Sequence, residues 1–413
     1  MAAPEGTINA LAVDSEPAEA LTLLDALARA PAAAPLFAAI DQLEDRKALR
    51  LVHAQLRDAV GEATTKLKVD LRVAAAARPP TARRWPRLEE LTVRSPDSAA
   101  LAALGADTWR VLHSLRLADP RQALDAPLAG ALAAALRRMP ALRALEMRSV
   151  LLPDEAAQEL FRASHAEAAP QLRALHIWSA DLSPAAAGLL AATGWPLEEL
   201  DLGGNADLGA AGAAALAAAP SFAIRRLGLW SRLDAASLLI LANAPWPLEE
   251  LDLWGNDFST AAAGPALAAL SRHTGLRRLG VRRLSAASFK ALVEAAWPAL
   301  TSLSTYAAKV AFDGPHALGA AAFTGFPALE ELDLSEVALG EVGAALLASR
   351  RWTRLRKLEL RRTQLGDAGL AALARGEWPA LEVLDLCLNS LGAPRLTLTD
   401  ARRWAPALVE LDQ

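Results

Sequence analysis

The residue types that do chemistry are present in this chain, but their spacing does not assemble them. The six histidines, His53, His113, His165, His176, His273 and His316, are scattered, and no pair stands at metal-ligand spacing beside cysteine or carboxylates. The one cysteine, Cys387, follows Leu386 and has no histidine near it in sequence, so a thiol at the edge of a loop is expected. Carboxylates recur in groups, as in LEELDL at 197–202 and 248–253. They recur because the letters around them recur, which argues against an acid–base pair. There is no phosphate-cradling glycine loop and no nucleophile elbow. No catalytic, cofactor-binding or metal-binding residue is expected, and hence no enzyme and no cofactor.

The recurrence itself carries the information. Residues 195–205 read WPLEELDLGGN and residues 246–256 read WPLEELDLWGN, differing only at Gly203 and Trp254. The unit L-x-x-L-x-L begins at Leu88, Leu112, Leu142, Leu172, Leu197, Ile224, Leu248, Leu276, Leu300, Leu329, Leu355, Leu381 and Leu408, a mean spacing of about 26.7 residues. Each unit has two halves. LEELDL alternates with strand periodicity, while LGDAGLAALARGEWP (365–379) reads as an alanine-rich helix closed by a Trp-Pro break. One such unit cannot bury its leucines alone, so the copies must stack, with a parallel sheet on one side and a helix layer on the other.

These repeats resemble leucine-rich repeats of the ribonuclease-inhibitor type over residues 67–413, counting a weaker first strand at LKVDLRV (67–73). The resemblance implies an α/β solenoid of about 13–14 repeats across 63–413. It would be a curved horseshoe with the sheet on the concave face and helices on the convex face. In the family, an Asn three residues after the last strand Leu ties neighbouring loops. Here it stands only at Asn205, Asn256 and Asn389, so irregular loops are expected, and the pattern is least regular near 120–140 and 305–325. The resemblance also implies a protein partner held on the concave face. Ran GTPase-activating proteins have similar repeats and a loop arginine, but the long acidic tail usual there is missing, which ranks that reading last.

Eight of the 11 tryptophans precede a strand: Trp85, Trp109, Trp195, Trp246, Trp297, Trp352, Trp378 and Trp404. A ring there covers the end of the core where the helix returns, which is a structural role. Trp178, Trp230 and Trp254 instead follow the last core residue of a strand, as does Tyr306, the only tyrosine. Alternation turns that position to the concave surface. Two readings stand: partner-binding anchors, or rings lying flat on one another and on the loop. Asp201, Asp252, Arg226, Arg278 and Arg282 complete the candidate surface. Signs alternate between neighbouring repeats, so cross-strand pairing is expected for most of these charges, and a mixed surface argues against a nucleic-acid groove.

Residues 1–62 differ in kind, with 10 acidic and 5 basic residues and helical patterning. Such a segment would cap the first strand. LEDRKALRLVHAQLRDAV (43–60) also resembles the second half of an F-box, with Leu36, Ile40 and Leu43 fitting its first half. In that family these helices dock on a Skp-type adaptor of a cullin ubiquitin ligase, and the repeats present a substrate. Here that implies adaptor contacts at Leu36, Ile40, Leu43, Leu49 and Val52. The family's Leu-Pro start is replaced by Ala32 and Ala33, and its Cys by His53. A net charge of −4, one cysteine and the lack of a signal-like start point to an intracellular protein, cytoplasmic or nuclear, without membrane attachment. The final stretch LVELDQ (408–413) reads as a strand whose outer edge is either blunted by Trp404, Glu410 and Asp412 or paired with another chain.

Overall fold

A computed structural model describes residues 65–70, 82–83, 85–96, 98–118, 123–162, 169–305, 318, 321–392 and 396–412. The N-terminal segment expected to be a helical cap, with Leu36, Ile40, Leu43, Leu49 and Val52, and the aromatic Tyr306 lie outside the described residues. The chain forms two compact units, residues 1–182 with 192–197, and residues 183–191 with 198–413.

In the first unit, five strands pair in parallel in chain order: β1 (Lys66–Asp70), β2 (Glu90–Arg94), β3 (Ser114–Ala118), β4 (Ala144–Arg148) and β5 (Ala174–Trp178). Leu91, Leu115, Leu145 and Leu175 stand opposite one another, as do Val93, Leu117, Met147 and Ile177, and all are buried. In the second unit nine shorter strands continue the pattern: β6 (Glu199–Asp201), β7 (Arg226–Gly228), β8 (Glu250–Asp252), β9 (Arg278–Gly280), β10 (Ser302–Ser304), β11 (Glu331–Asp333), β12 (Lys357–Glu359), β13 (Val383–Asp385) and β14 (Glu410–Asp412). Each is parallel to the next, and Leu200, Leu227, Leu251, Leu279, Leu303, Leu332, Leu358 and Leu384 form one buried ladder. Each leucine withdrawn from water contributes about 1.5–3 kcal/mol, and only its stacked neighbours make that possible. The fold is a leucine-rich-repeat solenoid.

Helices return the chain between strands, and their ends show why the tryptophans recur. The last carbonyls of a helix lack intrahelical donors. Trp109, Trp297, Trp352 and Trp378 each donate the indole N–H to the carbonyl five residues earlier, Leu104, Leu292, Leu347 and Leu373, at 2.9–3.0 Å. With Trp195 and Trp246 these rings are buried, whereas Trp85 and Trp404 are only partly covered. Trp246 is the variant: His273 Nε2 sits 2.8 Å from the Leu241 carbonyl that its indole would reach, and the Trp246 N–H has no partner among the described residues.

The buried asparagines close the loops as expected. Asn256 donates to the Leu229 and Leu253 carbonyls (2.6 and 2.8 Å) and accepts from the Ser231 and Leu233 amides (3.1 and 2.9 Å). Asn389 makes the same set with Leu360, Leu386, Thr363 and Leu365. Where Asn is missing, hydroxyls do part of its work: Thr363 donates to the Leu360 carbonyl at 2.8 Å and Ser231 to the Leu202 carbonyl at 3.3 Å. Among the described residues, the turns that leave β2, β4 to β9 and β11 to β13 place one or two residues at positive φ. Gly204 and Gly255 supply it at +79° and +80°, which explains the glycine before each Asn of the two near-identical stretches.

Candidate protein-interaction surface

The two outward flanks of each strand and the first residues beyond it make the candidate surface. In the second unit Trp230 follows β7 and Trp254 follows β8. The side chain of Trp230 is 41% exposed, and that of Trp254 is half-buried. Both lean onto the next repeat. The Trp230 indole favours the charged form of the neighbouring Asp252 carboxyl, and its Cβ lies over Gly255. The Trp254 indole lies over Gly280, where an added Cβ would come within 2.7 Å of its Nε1. Above it the Arg282 guanidinium stands 5.2 Å from the ring centroid. Each ring thus rests partly on its own scaffold, and neither is enclosed.

Asp201 and Asp252 have work in the scaffold. Each accepts the backbone N–H two residues on, from Gly203 at 3.0 Å and Trp254 at 2.9 Å. Asp333 and Asp385 do the same for Ser335 and Cys387, so this is a property of the repeat. Burial pushes the Asp252 carboxyl above the usual carboxylate range; the Trp254 amide opposes this and the charge of Asp201 adds to it. Arg226 donates to Glu199 Oε2 through Nε (2.9 Å) and Nη2, which holds its proton more firmly.

Cross-strand pairing is incomplete. Glu250 and Arg278 stand in register on β8 and β9, yet neither side chain makes a hydrogen bond or ion pair among the described residues. Together with Arg226, Trp254 and the bare positions Gly228 and Gly280, they border a depression of about 410 Å³ in the sheet face. Gly228 is bare because its neighbour fills the space: a Cβ there would meet the Asp201 carboxylate at 2.8 Å. Further along the face, Ser302 and Ser304 donate to Glu331 (2.9 Å) and Asp333 (3.0 Å).

Trp178 belongs to the first unit, at the end of β5, half-buried. Arg148 from β4 lies 4.0 Å above its ring centroid, and His176 stacks on it at 5.2 Å. Glu146, only 8% exposed, is gripped by Arg116 and Arg148. This network joins β3, β4 and β5 and was not anticipated from the sequence. Its signal was Arg148, which occupies in β4 the place of Trp178 in β5.

Cys387 lies at a loop edge, and hydrogen bonding to Asp385 pushes its thiol pKa up, with burial acting in the same direction. Among the described residues no three His, Cys, Asp or Glu side chains come together to hold a metal ion, and no helix is long and apolar enough to cross a membrane.

The Leucine Rich repeat family model matches residues 196–217 and 353–374, each one strand–loop–helix unit. No curated protein sequence matches the chain. Among solved structures the chain is similar to TLR13 in the TLR13-ssRNA13 complex, with 17% identity, a TM-score of 0.46 and 85% of this chain covered. It spans 60% of the length of that TLR13 chain. It is also similar to the internalin inlF of Listeria monocytogenes, with 14% identity, a TM-score of 0.47 and 86% of this chain and 88% of that one covered. A chain of the yeast Rad7 and Elc1 complex shows 14% identity and a TM-score of 0.49, with 97% and 99% covered.

Proposed function

We propose that this leucine-rich-repeat protein is a non-enzymatic, intracellular scaffold that holds a protein partner on the sheet face of its second unit. The observation that carries this reading is the pair Trp230 and Trp254, set on neighbouring strands beside a depression and left in contact with solvent. Large rings at the surface raise the cost of leaving a face uncovered, and tryptophan is enriched among the residues that dominate binding energy. The acidic flanks of β6 and β8, on either side of β7, favour a protein over a nucleic acid, whose phosphates would be repelled.

The test is quantitative affinity capture from extracts of the native cells with the full chain and its W230A/W254A double variant, after melting curves establish that both fold. A specific partner should bind the variant more weakly by about 2 kcal/mol, roughly thirtyfold. Equal retention on the two baits would return both rings to a purely structural role.

A second reading makes the scaffold a substrate receptor of a cullin ubiquitin ligase. It is motivated by the F-box-like residues 34–60. Co-expression with a Skp-type adaptor followed by size exclusion tests it, and separate elution of the two folded proteins rejects it.

A further inference from the structure

We propose that the sheet face of the second unit takes an extended, lysine- or arginine-rich segment of a protein partner, with one basic side chain seated in the depression lined by Asp201, Glu250, Asp252 and Trp254. This rests on the scaffold reading and names the chemistry of the partner. The strands β6 to β14 read ELD, RLG, ELD, RLG, SLS, ELD, KLE, VLD and ELD. The middle leucine is buried in each of β6 to β13, so the flanking residues face outward. Ten of the eighteen flanks are acidic and three are basic, a net of −7. Over residues 198–413 as a whole, 24 acidic and 21 basic residues nearly cancel. Everything in that stretch except the strand flanks therefore sums to +4. Negative charge is segregated onto this face, and such segregation steers and selects an oppositely charged partner.

The depression gives that field a definite seat. It is lined by the Asp201 carboxylate lying over the buried Gly228, by Glu250 and Asp252, and by the half-buried Trp254 ring lying over Gly280. Arg226 is committed to Glu199, whereas the Glu250 side chain has no hydrogen bond or ion pair among the described residues. Asp252 beside it is half-buried and accepts from the Trp254 amide. A long basic side chain lays its methylenes on Trp254 and brings its charge to Glu250 and Asp252. Arg278 at the rim marks the place for an acidic or hydroxyl neighbour in the same segment.

The experiment measures fluorescence anisotropy with the full chain and three fluorescein-labelled probes: the peptides (Ser-Arg)5 and (Ser-Glu)5, and a ten-nucleotide single-stranded RNA. Two double variants change net charge equally. E250K/E331K lies on the sheet face, and E341K/E377K lies at exposed positions of a helix and a loop away from it. The expected result is binding of (Ser-Arg)5 that falls at least tenfold in E250K/E331K and less than twofold in E341K/E377K. If charge reversal impairs folding, E250Q/E331Q should still weaken binding at least threefold. No binding of (Ser-Arg)5, equal weakening by the two doubles, or preference for (Ser-Glu)5 or the RNA would overturn the proposal. A captured partner lost from W230A/W254A but indifferent to E250K/E331K would also overturn it, while leaving the scaffold reading in place.

Discussion

Asn256 links the scaffold to the binding surface, so its removal should be felt in both. Its side chain makes four hydrogen bonds to backbone groups of two successive repeats and is fully buried. In N256A all four backbone partners lose their mate. At about 1 kcal/mol net for each, the variant should lose about 4 kcal/mol. A threonine should recover part of this, because Thr363 already serves its own Leu360 carbonyl through the hydroxyl. N256T should therefore be about 1 kcal/mol more stable than N256A. Urea unfolding gives the totals, and hydrogen exchange locates them: the Ser231 and Leu233 amides should lose protection before the strand amides of β7. Ser231 directly follows Trp230, so partner binding should weaken in N256A even at temperatures where the chain remains folded. A loss below about 1 kcal/mol, or unchanged exchange at Ser231 and Leu233, would refute the claim that this side chain ties the loops.

Three further outcomes follow from single contacts. G280V puts side-chain atoms where the Trp254 indole lies, so it should shift tryptophan emission to the red and weaken partner binding; an unchanged spectrum would contradict the packing. W378F removes an indole donor from the Leu373 carbonyl, whereas W246F removes an N–H without a partner, so W378F should cost about 1 kcal/mol more in matched unfolding experiments. The raised carboxyl of Asp252 has a definite sign in pH: protonation favours the native state, so its stabilisation is complete below the usual carboxylate range and is lost as pH rises through the native value. D252N, which keeps an acceptor for the Trp254 amide, should therefore melt no lower than the wild type at neutral pH. The wild type should gain on D252N as the solution is acidified, and a constant gap between the two melting curves would refute this.

The leucine positions were legible because the ladder demands the same residue at each level; Leu200, Leu227 and Leu251 are interchangeable in kind. The recurrent tryptophans were legible for a related reason, since every helix end exposes the same carbonyls. What the sequence concealed lies between repeats. Ser231 and Thr363 take over from asparagine with a different letter, and their partners lie 3 to 29 residues away. The Glu146–Arg116 contact spans 30 residues and needs the strand register to be seen. Charge behaved likewise: read repeat by repeat, the signs alternate, but aligned in register the flanks of the second unit are acidic by ten to three.

This divides the labour of the letters. A stacked repeat can change a residue freely only where the neighbours above and below do not need it, which is at the outward flanks and just beyond the strand. Replacing ELD with RLG at β7 and β9 removes a carboxylate and a side chain together, and each vacancy is taken by the preceding repeat: the Asp201 carboxylate over Gly228, the Trp254 ring over Gly280. The two substitutions therefore act as a pair with their neighbours. They let the Asp201 carboxylate and the Trp254 ring lie down on the sheet. A chain selected only to fold gains nothing from baring its sheet twice on either side of Asp252, because glycine weakens a strand. That local loss is compensated if something outside the chain uses the carboxylate and the ring so placed, which is why the departures from the repeat mark the place to look for a partner.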